Sequence, residues 1–255
     1  MVPAMPATPY CGPPPSPEAL WSQWNFDPLI IGGLLIALAL LMLPSLNISR
    51  RSRTLGGLAV LSLAIAFVSP LCALSSALFA ARTVHHILLI CAAAPLIALA
   101  LPRPSRQGFG VVMIATLLQA VVLWFWHAPD LYQAALSSDA IYAVMEITLL
   151  ASATLFWLVV RGASAPAAAF GLVLTMVQMG MLGALLVFAG AAVYEPHLLT
   201  TAAWGISPLE DQQLAGLTMW APAAGVYLVT ALVLVGRWLG PDKAGRPTAS
   251  QGKPA

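Results

Sequence analysis

Four histidines, one carboxylate inside an apolar run and a scatter of sulfur are the residues of this chain best suited to chemistry. His85 and His86 are adjacent, His127 closes the apolar stretch VVLWFW, and His197 lies in the long connection GAAVYEPHLLTTAAWGISPLEDQQLAG. Imidazole is a common metal ligand and titrates near neutral pH, so such a group of rings suits metal binding, haem ligation or proton handling. The plainer alternative is that imidazoles suit a membrane interface. Glu146 falls about two turns into another apolar run, where an ionised carboxylate is costly unless paired or hydrated. Its natural partners are the histidines or Arg82, and a protonated Glu146 bonded to a backbone carbonyl is the structural alternative.

Soft donors accompany these groups. Cys72, Cys91, Met176, Met179, Met181 and Met219 fall in apolar stretches, and thiolate or thioether combined with imidazole selects Cu(I) over hard cations. Methionine in apolar helices is also ordinary packing material. Three cysteines impose no disulfide framework, and Cys11, in YCGPPP, could pair with another chain or with Cys72. The chain has no C-x-x-C and no H-E-x-x-H, no Gly-rich phosphate loop and no hydrolytic motif. Nor does it carry a basic surface patterned for nucleic acid. No catalytic residues are assigned, an enzyme is not expected, and nucleic acid is not expected as a partner.

The elements that must hold these residues follow from composition. Of 255 residues 60% are hydrophobic and 8% charged, with a mean hydropathy of +0.88, so the chain must be solvated by lipid. A hydrocarbon core of about 30 Å needs roughly 17 to 25 apolar residues as helix. Seven stretches qualify: Pro28 to Leu46, Leu55 to Phe79, Val84 to Leu101, Phe109 to His127, Asp139 to Val160, Ala167 to Gly190 and Leu214 to Gly236. The runs are continuous rather than alternating, which favours helices far above a barrel. The expected fold is all-α: a polytopic membrane bundle of seven transmembrane helices. Residues 1–27 read as a Pro-rich extracytoplasmic tail rather than a signal peptide, 28–238 as the membrane domain, and 239–255 as a disordered cytoplasmic tail.

Basic residues collect on the cytoplasmic side of a membrane. With the amino terminus outside, Arg50, Arg51, Arg53, Arg103, Arg106, Arg161, Arg237, Lys243, Arg246 and Lys253 all fall inside, and Arg82 alone falls outside. Glu18, Asp27, Asp130, Asp139, Glu195, Glu210 and Asp211 fall outside with all four histidines. Pro95 and Pro222 are expected to kink their helices, and Gly180 with Ala184 to permit close helix approach. Ser207-Pro208-Leu209-Glu210 reads as a capping box, with Asp211 reinforcing that helix start and, like Gln212, free to face the site.

Several stretches resemble the CtaG family of cytochrome c oxidase assembly factors, integral membrane proteins of bacteria. They are YCGPPPSPEALWSQWNFDP, SPLCALSSALFAARTVHHILLICAAAPLIALALP, WHAPDLYQAAL, MLGALLVF and ISPLEDQQLAGLTMWAPAAGVYL, spread from Cys11 to Trp238. The segments PLEDQQLAG and VHHILL are the most specific. The resemblance implies a multi-pass protein of the bacterial cytoplasmic (inner) membrane that helps mature a haem-copper oxidase, with oxidase subunits as partners and copper as the metal handled. The family pattern carries a Glu-His pair where this chain has Glu146-Ile147.

Together these readings give His85, His86 and His127, with Cys72 and Met179, as expected copper ligands at the extracytoplasmic face. Glu146 and Asp211 stand behind them, Glu146 fixing an imidazole tautomer. Two competing readings are a proton-coupled or metal transporter, with Glu146 titrating in a cavity, and a haem-binding redox membrane protein with two axial histidines.

Overall fold

The computed structural model describes residues 9–240. Among these residues the regular secondary structure is all helix, apart from one isolated bridge pairing Gln107 with Ala163. The helices are α1 (Pro28–Met42), α2 (Arg50–Phe67), α3 (Pro70–Ala77), α4 (Phe79–Ala100), α5 (Phe109–Trp126), α6 (Pro129–Leu136), α7 (Asp139–Gly162), α8 (Ala165–Phe188) and α9 (Pro208–Leu239). Residues 241–255, most of the expected cytoplasmic tail, lie outside the described residues.

Among the described residues five helices, α4, α5, α7, α8 and α9, are long and apolar enough to cross a membrane. A sixth span results if α2 and α3 are taken together across their 45° bend. The run expected as Leu55 to Phe79 is thus two helices. Pro70 opens α3, and the Ser69 side chain accepts a hydrogen bond from the Leu71 amide, so the chain turns at a proline where the first helix can end at no cost. α1 is apolar but only 15 residues long, about 22 Å, short of a full hydrocarbon core.

Both intramembrane prolines act on the helices around them by widening a turn. A π-turn at Leu88–Ala93 lies just ahead of Pro95, and another at Met219–Ala223 contains Pro222. Proline has no amide to donate and its ring collides with the preceding turn, and an added residue per turn relieves both. A carbonyl in the first π-turn finds a partner across the bundle: the Trp157 indole donates to Ile90 O at 3.0 Å. In lipid such replacement is what makes the broken ladder tolerable.

Close approach of α8 and α9 occurs at Gly183 and Gly216 rather than at Gly180. A Cβ on Gly183 would sit 2.7 Å from Gly216 O, and one on Gly216 2.6 Å from Gly183 O. Gly180 faces only the Trp220 indole, at an ordinary 3.6 Å. The pair of glycines one turn closer to the histidine end is what lets the backbones touch.

The segment 9–27 packs over the histidine end of the bundle. Cys11 is joined to Cys72 on α3, the Tyr10 ring stacks on Tyr142 at 4.9 Å, and the Trp204 indole donates to Pro15 O at 3.2 Å. Two ends therefore face apart. One holds the histidines, this segment and the long α8–α9 connection; the other holds Arg50, Arg51 and Arg53 in the first turn of α2, Arg103 and Arg106 in the α4–α5 connection, and Arg161 in the last turn of α7.

Candidate functional site

Arg82, His85 and His86 stand at i, i+3 and i+4 on α4, and Tyr142 and Glu146 at i and i+4 on α7, so each set lines one helical face. The two faces meet. Glu146 Oε1 lies 3.4 Å from an Arg82 guanidinium nitrogen and 3.3 Å from His86 Nε2, and its Oε2 lies 3.6 Å from His85 Nε2. Arg82 also donates to the Tyr142 hydroxyl at 3.0 Å, with its guanidinium over that ring at 5.1 Å. Arg82 is 1% exposed, His85 0%, His86 4% and Glu146 4%. At that depth neither charge would persist without the other.

The ring nitrogens divide into held and free. His127, capping the end of α5, donates from Nδ1 to Leu123 O at 2.7 Å. A neutral ring held that way carries its lone pair on Nε2. His86 presents Nε2 to Glu146, while its Nδ1 is buried without a partner. Neither nitrogen of His85 makes a hydrogen bond, and its ring edge meets Phe67 at 4.8 Å. The His86 ring lies 6.1 Å from that of His127 and 5.9 Å from that of His85. Buried imidazole nitrogens without a partner therefore stand beside rings fixed by a carboxylate and a carbonyl. Among the described residues no three His, Cys, Asp or Glu side chains stand close enough together to hold a metal ion.

Around this group an aromatic layer closes the histidine end. The Phe79 ring stacks on Tyr194 at 4.0 Å and meets Tyr132 and His197 at 5.4 and 5.9 Å. His197 Nε2 and the Tyr132 hydroxyl are 2.7 Å apart, and the Tyr194 hydroxyl donates to His127 O at 2.9 Å. The α8–α9 connection is thereby fastened to the end of α5. Burial pushes His197 down to about 4, against its ordinary 6.5, with the Arg82 charge acting in the same direction. Burial likewise holds the Tyr194 hydroxyl above the usual tyrosine range.

The other expected residues have different surroundings. Cys72 is bonded to Cys11, and a disulfide sulfur has no thiolate to offer a metal. Met179 is buried in the apolar core on α8. Asp211 does not face the histidines freely: its two carboxylate oxygens accept the Phe79 and Ala80 amides at 2.6 and 3.0 Å, so it caps α4 from another helix. Gln212 is also engaged, accepting from the Val193 amide and donating to Leu186 O and Ala191 O. The capping box is formed, with Ser207 and Glu210 exchanging hydrogen bonds.

Sequence reasoning missed Tyr142, whose hydroxyl lies 3.0 Å from Arg82 and 3.5 Å from Cys11 Sγ. Its position one turn before Glu146 was the available signal.

A family model described as cytochrome c oxidase caa3 assembly factor (Caa3_CtaG) matches residues 45–240. No curated protein and no solved structure matches the chain.

Proposed function

Because the chain belongs to the cytochrome c oxidase caa3 assembly factor family, a family of assembly factors rather than catalysts, we propose that it handles copper for a haem-copper oxidase at the histidine end of its bundle. Copper here is cargo. The observation that carries the reading is the pairing of His86, held by Glu146, with His127, held by the Leu123 carbonyl, at a ring separation of 6.1 Å. Each ring is fixed through one nitrogen and keeps the other for a ligand, as metal-binding imidazoles generally do. Arg82 and Glu146 offset one another's charge, and a site made of imidazole nitrogens takes a soft monovalent ion better than a hard divalent one. With Cys72 in a disulfide and Met179 in the core, imidazoles dominate the set. Few ligands make a weak site, which suits passing an ion on.

The topology supports the location. We take the bundle as seven spans, with α1 as a short first span and α2 with α3 as one bent span. The arginine end then faces the cytoplasm and the histidine end faces out of a bacterial inner membrane. Partners are the oxidase subunits that receive the ion.

The test is Cu(I) titration of the purified protein in detergent, beside oxidase copper content in a deletion strain complemented with variants. His86→Ala with His127→Ala is expected to lose Cu(I) binding and leave the oxidase copper-poor while the protein stays folded. Unchanged Cu(I) affinity in the double variant would refute the site. Normal oxidase maturation in the deletion strain would refute the assembly role. The transporter reading has Glu146 in its favour, but Glu146 is shared by an arginine and two histidines rather than facing a described cavity.

A further inference from the structure

At the arginine end α1, α2, the connection between them and the end of α4 line a half-open groove of about 560 Å³. That volume lies within the range of small-molecule sites. Its walls are apolar, with Leu41 and Gly56 at the contact of α1 and α2. A Cβ on Gly56 would fall 2.7 Å from the Leu41 side chain, so the glycine lets α1 lie close against α2 without filling the groove. Ser49 and Ser52 line one edge, next in sequence to Arg50, Arg51 and Arg53, and Leu101 and Pro102 line another, next to Arg103.

The charges beside this groove are of one sign. Every ion pair among the described residues involves Glu146 at the opposite end, so none of these arginines meets a carboxylate there. Arg103 donates to Arg161 O and Arg161 to Leu101 O, both at 3.3 Å, which ties the guanidinium groups to backbone and leaves other donors over. Arg53 Nε is shielded from solvent and has no partner. Like charges gathered at one place are stabilised by a counter-anion, and an apolar groove beside them selects one that carries a hydrocarbon chain.

We propose that this groove is a binding site for an anionic phospholipid, its acyl chain lying along α1 and α2 and its phosphate held by Arg51, Arg53 and Arg103. Basic clusters between transmembrane helices recognise acidic lipid headgroups in this way, and guanidinium offers phosphate two parallel hydrogen bonds. The proposal is independent of copper handling, because the groove lies at the far end of the bundle from the histidines.

The experiment is native mass spectrometry of the full chain in detergent with added phosphatidylglycerol, phosphatidylcholine or inorganic phosphate. One retained phosphatidylglycerol per chain, with phosphatidylcholine lost at the same activation and inorganic phosphate unable to displace the lipid, is the expected result. Arg51→Gln and Arg103→Gln, both at exposed positions, should each weaken retention about fivefold. Ala37→Phe, which fills the groove and leaves the arginines intact, should abolish it. Equal retention of both lipids would overturn the proposal in favour of an unselective apolar groove. Displacement by inorganic phosphate would overturn it in favour of a simple anion site, and unchanged retention in the arginine variants would overturn it outright.

Discussion

Arg82 and Arg103 are the same residue type at opposite ends of one bundle, and they live under different rules. Arg82 is 1% exposed and is held by Glu146 and Tyr142; Arg103 is exposed and donates only to a backbone carbonyl. At the histidine end charge is buried and must be neutralised within the protein, so side chains from α4, α7 and α9 interlock. At the arginine end charge reaches water and headgroups by extending along the surface, and nothing in the protein needs to answer it. Function that depends on a defined geometry belongs to the first end, and attraction to a charged surface to the second.

Removing Glu146 should separate the two ends most sharply. Glu146→Ala strands the Arg82 charge, and breaking one partner of a buried pair costs about 3 to 5 kcal/mol. Arg103→Gln should cost less than about 1 kcal/mol, as exposed charges do. Chemical unfolding in mixed micelles, with both variants side by side, measures the contrast; equal losses would erase it.

Opening the disulfide comes next. Cys11 and Cys72 are 61 residues apart, and Cys11→Ser with Cys72→Ser should cost about 2 to 4 kcal/mol by freeing the unfolded loop. Faster proteolysis confined to residues 9–27 is the accompanying sign. A smaller effect is expected from Asp211→Ala, which uncaps Phe79 and Ala80 and should cost about 1 to 2 kcal/mol. Its distinguishing mark is faster amide exchange at the start of α4 with α9 unaffected.

The pH response should also sit at the histidine end. His197 is pushed down to about 4 by burial, so above pH 6.5 it is neutral in both folded and unfolded chains and has no effect. As pH falls from 6.5 toward 4 the unfolded chain binds the proton first, and stability is lost across that window. His197→Gln should remove that share of the slope in unfolding midpoints measured from pH 7 to pH 4. An unchanged slope would place the titration elsewhere.

Much of this was legible in residue order, and for identifiable reasons. Helices follow from continuous apolar runs, because lipid leaves the backbone no other way to satisfy itself. The shared face of Arg82, His85 and His86 follows from helical spacing. Glu146 stood out because a carboxylate at that depth demands a partner, and the capping box at Ser207 and Glu210 is a local pattern. Pro70 marks a break in the run Leu55 to Phe79, but the 45° angle there depends on what α3 packs against.

What sequence could not supply were the pairings between distant segments. Asp211 caps α4 across about 130 residues, Cys11 chooses Cys72, and Gly183 rather than Gly180 meets α9. Each is decided by which helices become neighbours and by their rotation, and neither is written in the hydropathy of any one run. Sequence alone determined that the chain is helical, lives in lipid and carries one internal carboxylate, because those are costs a residue meets wherever its neighbours fall. Tertiary structure decided which arginine, tyrosine and imidazoles answer that carboxylate, because hydrogen bonds act over about 3 Å and only packing brings groups that close.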